Sequence, residues 1–186
     1  MFSHKRVTLL VVVVAALAAC ATQQQSDSGV PPQRPNLGLA ATPEQIRAWD
    51  ISIPPSGEGL PPGSGTAKQG AAVYAAKCQS CHGAKGAGKP ADALVGGVGT
   101  LADANAVRTV GSYWPYATTL FDYVRRAMPT NAPMSLTNDE VYASSAYILY
   151  LNGIIAEDVP MNAQTLPAVK MPNRDGFLSD WPPRKR

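Results

Sequence analysis

The chain of 186 residues is poor in the residues that build reactive centres, with two histidines and three cysteines. Charged residues make up only 16% of it. The two histidines are His4 and His82. His4 lies in "MFSHKRVTLLVVVVAALAAC", a short basic start followed by an apolar run from Val7 to Ala19. That pattern predicts a secretory signal peptide over residues 1–19, because the run is shorter than the roughly 20 residues of a membrane-spanning helix. Once it is removed, His82 is the only imidazole, and no site built on several histidines can form. Charge is equally uninformative as a partner signal. Lys5 and Arg6 take two of the 16 basic residues, leaving 14 against 13 acidic ones. Three of those 14 form the tail Arg184-Lys185-Arg186. A near-neutral body excludes nucleic acid as an expected partner.

What the chain does have is concentrated. Cys78-Gln79-Ser80-Cys81-His82 places two of the three cysteines and the one mature histidine within five residues. The C-x-x-C-H spacing is that of a covalently attached c-type haem. Two thiols three positions apart can add across the two vinyl groups, and the next residue, His82, is then held at the iron as proximal ligand. Competing uses of C-x-x-C lack support. A zinc site needs further Cys or His ligands, and a thioredoxin-like dithiol wants a βαβ context that this Gly-rich stretch does not offer. One motif implies one haem c.

With no second histidine, a methionine is the expected sixth ligand, and Met/His ligation raises the reduction potential. The candidates are Met128, Met134, Met161 and Met171. In the small single-haem cytochromes c that this arrangement resembles, the methionine precedes a proline several residues before the last helix, which implies Met128, followed by Pro129, as the first choice. Met134 is the alternative, and Met161 and Met171 lie beyond that helix. A permanently six-coordinate iron favours electron transfer over chemistry at the metal, so no catalytic residue is assigned.

Along the chain, Leu17-Ala18-Ala19-Cys20 resembles a lipobox, which implies a lipid on Cys20 and a protein anchored to a membrane on its periplasmic side. Ordinary cleavage would instead leave it soluble in the periplasm. Residues 20–41 read as a flexible polar tether. Residues 42–66 read as an extension onto the haem domain, with a short helix after Thr42 and with Trp49, Ile51 and Ile53 as contacts onto that domain or onto a partner. Residues 67–155 read as the haem domain and 156–186 as a Pro-rich C-terminal extension with little regular structure. Within the domain, "AKQGAAVYAAKC" predicts a helix running into the motif, "ATTLFDYVRRAM" a second, and the Thr137–Glu140 capping box a third ending at Asn152-Gly153. The expected class is all-α.

The runs "GEGLPPGSGTAKQGAAVYAAKCQSCHG", "SYWPYATTLFDYVRRAMP" and "LPAVKMPNRDGF" resemble the cytochrome c subunits of sulfane or sulfite dehydrogenases, the SoxD-like group. The resemblance implies a class I cytochrome c fold, with first and last helices crossing near Gly70, Tyr74 and Tyr147, and it maps the family methionine onto Met128. It also implies a partner, a molybdopterin-containing subunit that oxidises sulfite or sulfane sulfur, and a downstream cytochrome or oxidase that takes the electrons onward. This chain would then be the electron-transfer subunit, not the catalytic one. Other readings are a general periplasmic carrier serving another dehydrogenase or a terminal oxidase, a haem enzyme, and a haem-based sensor. The segment Ser112–Tyr116 is a candidate wall of the haem pocket or docking face, or simply core, and Arg125 or Arg126 a candidate partner for a haem propionate.

Overall fold

A computed structural model describes residues 37–178. The signal run, Cys20 and most of the tether lie outside those residues. From Thr42 to the end of the described residues the chain forms one compact unit. Among the described residues six α-helices follow in order: α1 (Pro43–Trp49), α2 (Ala67–Lys77), α3 (Gln79–His82), α4 (Val110–Tyr113), α5 (Ala117–Ala127) and α6 (Asn138–Leu151). Two-residue strands β1 (Ser64–Gly65) and β2 (Met161–Asn162) pair antiparallel, and β2 lies in the C-terminal extension. None of the described helices is long and apolar enough to cross a membrane.

The core centres on α6. Thr137 and Glu140 close its capping box, with Glu140 N–H donating to Thr137 Oγ1 at 3.3 Å and Thr137 N–H to Glu140 Oε2 at 2.8 Å. Its residues Val141 through Ala146, then Ile148 and Leu149, are all buried. A helix buried on so many sides must be covered by several elements, and α2, α5 and both strands cover it. On α2 the buried stripe is Ala67, Gly70 and Tyr74. A Cβ on Gly70 would run into the carbonyl of Ala143, so the absence of a side chain lets the two backbones cross. One turn on, Tyr74 and Tyr147 pack with ring centroids 5.3 Å apart. The α5 stripe Ala117, Leu120, Phe121 and Val124 follows helical spacing, and Phe121 meets Tyr142 of α6 at 4.4 Å.

The N-terminal extension is sutured to this core by polar groups. Ser64 N–H donates to Asp139 Oδ1 at 2.8 Å, Asn138 Nδ2 to Pro62 O at 3.1 Å, and Tyr142 Oη to Pro61 O at 2.9 Å. Of the expected contacts of this extension, Ile53 is buried in the core, whereas Trp49 is 87% exposed and lies outside it, which leaves only a partner for it to meet. Helix α1 has the Thr42 cap and the Pro at its start, yet buries none of its residues. The C-terminal extension is not a loose surface wrap either. It supplies β2, a 3-10 turn at Leu166–Ala168, and the buried side chains Met161, Leu166, Val169 and Met171. Alternation of prolines with single apolar residues hid this, because no helical or strand period runs through it.

Candidate functional site

The motif begins where α2 ends. Lys77 closes α2, Cys78 caps it, and Gln79–His82 form the single turn α3. Two backbone donors, Cys81 N–H at 3.1 Å and His82 N–H at 2.9 Å, share the Cys78 carbonyl and hold the turn closed. Gly83 then reverses the chain with φ 72°, where a Cβ would strike the Gly88 carbonyl. Gly88 N–H donates back to His82 O at 2.7 Å, Ala91 N–H to Cys81 O at 2.9 Å, and Tyr74 Oη to Gly83 O at 2.9 Å. The loop after the motif is therefore tied to the motif itself.

This loop also orients the imidazole. His82 Nδ1 lies 2.9 Å from the carbonyl oxygen of Asp92. A carbonyl can only accept, so Nδ1 carries the proton and Nε2 keeps its lone pair for a metal. Both thiols are free, Cys78 half-buried and Cys81 exposed. Burial first, and the neighbouring Cys81 second, push the Cys78 thiol up to about 11. Dithiol redox sites depress a thiol, and the shift at Cys78 runs the other way. Among the described residues no group of three or more His, Cys, Asp or Glu side chains could hold a metal ion. Two unpaired thiols beside one pre-oriented imidazole fit a covalently held haem.

The four candidate methionines separate by environment. Met161 and Met171 are 1% and 3% exposed, inside the core. Met134 is 60% exposed, at φ 60°. Met128 alone is half-buried at the edge of the core, as the C-cap of α5, with its N–H donating to Val124 O at 3.1 Å. Helix α5 thus delivers this thioether from a fixed end.

The remaining candidates sort plainly. Ser112 is buried in a capping box with Thr109, and its Oγ donates to Val107 O at 2.6 Å. Residues Tyr113 to Tyr116 are half-buried, with Trp114 edge-on to Tyr123 at 5.7 Å. Arg126 does not stand free for a propionate: its Nε donates to Asp122 Oδ2 at 3.1 Å. Arg125 reaches the Ile51 carbonyl at 3.5 Å. Sequence reasoning missed Asn152, taken only as a helix stop. Its Nδ2 donates to Leu94 O at 3.1 Å and its Oδ1 accepts from Gly96 N–H at 3.1 Å, pinning the loop below the motif to α6. No sequence signal distinguishes such an asparagine from an ordinary cap.

The family model for cytochrome c matches residues 67–152, the span from α2 through the end of α6. Among solved structures, a chain of "Crystal Structure of the Sulfane Dehydrogenase SoxCD from Paracoccus pantotrophus" is 43% identical, with a TM-score of 0.74, over 78% of this chain and 72% of that one. The chain is a SoxD-like class I cytochrome c. No curated protein matches it significantly. Membership carries a covalent haem c, to which Cys78 and Cys81 of the C-x-x-C-H motif correspond. It also makes this cytochrome an electron-transferring haem protein, mostly helical, with the small β1–β2 pair as an addition at the edge.

Proposed function

We propose that this cytochrome is the electron-accepting subunit of a molybdenum-dependent sulfite or sulfane dehydrogenase, with its haem held by Cys78 and Cys81 and ligated by His82 and Met128. The observation that carries the reading is the SoxCD relative, whose likeness covers 78% of this chain and so extends well beyond the span 67–152 of the general cytochrome c family.

Bound there, the haem supplies a one-electron ferric/ferrous couple, set high by Met/His ligation. The chain's own residues do the rest. Asp92, through its carbonyl, fixes the tautomer and ring plane of His82. Partial burial of Cys78 shields one attachment point from water, and exposed Cys81 leaves the other near the surface. Helix α5 holds Met128 by its backbone rather than on a loose loop, which limits reorganisation between the two oxidation states. Sulfur oxidation releases electrons in pairs, and a chain with one attachment motif accepts them singly before passing each to a downstream cytochrome or oxidase. The signal-like run and Cys20 support placing the protein on the periplasmic side, tethered by lipid.

The test is reduction by a partner. Mixed with the molybdenum subunit and sulfite or a sulfane donor, the ferric protein should be reduced within the turnover time of that enzyme, and neither component alone should do it. Reduction by an unrelated dehydrogenase, with none by any sulfur-oxidising partner, would overturn the assignment in favour of a general carrier.

A further inference from the structure

Asp122 is the only charged side chain among the described buried residues. A buried carboxylate is costly unless each oxygen is matched, and both are. Oδ1 accepts from the Ile53 backbone N–H at 3.0 Å, across 69 residues of sequence, and Oδ2 accepts from Arg126 Nε at 3.1 Å. Arg125, on the same turn, donates to Ile51 O at 3.5 Å. The segment Ile51–Ile53 and the last turns of α5 therefore form one clamped unit, and Met128 is the cap of that helix, hung from Val124. Nothing in the core requires a charge here, because the surrounding stripe of α5 is otherwise apolar but for Thr118.

We propose that Asp122 is a positioning residue that fixes the end of α5 so that Met128 stays on the haem iron. The inference rests on the Met128 ligation proposed above. It gives the extension a role at the haem: Ile51–Ile53 is the strap against which the distal ligand's helix is braced.

The experiment uses the holoprotein and compares Asp122→Ala, Asp122→Asn, Tyr142→Phe and Met128→Ala with wild type. The readouts are the methionine-to-ferric-iron absorption band, carbon monoxide binding to the ferrous form, and thermal stability. Asp122→Ala should weaken the band and speed carbon monoxide binding about tenfold, as the unmatched Ile53 N–H releases the strap. Asp122→Asn, which retains one acceptor oxygen but not the charge facing Arg126, should give a smaller change of the same sign. Tyr142→Phe cuts a different suture of the same extension, to Pro61, and should lower stability while leaving both iron readouts unchanged. If both Asp122 variants match wild type at the iron, or Tyr142→Phe loosens the iron as much as they do, the positioning role is overturned. If Asp122→Ala yields no holoprotein, Asp122→Asn decides by the same criteria. Loss of the band in Met128→Ala with no effect at Asp122 removes this inference alone. A band that survives Met128→Ala removes the ligation reading beneath it.

Discussion

The two faces of the haem site are built in opposite ways. On the proximal face five consecutive residues carry both thiols and the imidazole, and the loop that orients His82 returns within ten residues, at Asp92. In the proposed ligation the distal sulfur donor is Met128, at the end of a helix whose Asp122 accepts from Ile53 N–H, 69 residues upstream. A local site survives as long as its turn does. A distal site assembled from remote elements depends on the whole packing, and this is where function can be tuned without touching the attachment chemistry.

The sharpest way to break this contrast is at the attachment turn. Cys78→Ala with Cys81→Ala should yield a protein without covalently bound haem, read as loss of colour after denaturing electrophoresis. Met128→Ala should keep the covalent haem and change only its properties. Next comes the helix crossing that supports both faces. Gly70→Ala gains about 1 kcal/mol of helix propensity but drives a Cβ into the Ala143 carbonyl. Overpacking against backbone costs about 3 kcal/mol, so net destabilisation of about 2 kcal/mol is expected in chemical unfolding, and a stabilised variant would show that the helices do not cross there. Smaller again is Asn152→Ala, which frees the Leu94–Gly96 loop from α6. A loss of about 1–2 kcal/mol is expected, with hydrogen exchange rising in that loop and not in α5. The smallest is Trp49→Ser. At 87% exposure this change should move stability by less than about 0.5 kcal/mol, and a larger loss would mean that α1 packs on the body.

The same contrast explains what could be read in advance. The capping box at Thr137, the Pro start at Pro43 and the Gly70–Tyr74–Tyr147 crossing are local or periodic signals, and each appears in the structure. For the proposed sixth ligand the structure adds only an environment: Met128 is half-buried beside the core, Met161 and Met171 are buried and Met134 is exposed. What remained hidden is non-local. No pattern in "FDYVRR" announces that Asp122 turns inward to meet Ile53, since a carboxylate next to two arginines reads as a solvated helix face. The core residues Leu166, Val169 and Met171 sit singly among prolines and polar residues, where only three-dimensional packing reveals them.

The account stands on Met128 as the sixth ligand of a haem built for electron transfer. Its most direct test is the midpoint potential of the wild type, Met128→Ala and Met134→Ala holoproteins, titrated side by side. With Met128 on the iron, the potential drops far in Met128→Ala and keeps its wild-type value in Met134→Ala; an unchanged potential in Met128→Ala, or a drop confined to Met134→Ala, would contradict that ligation.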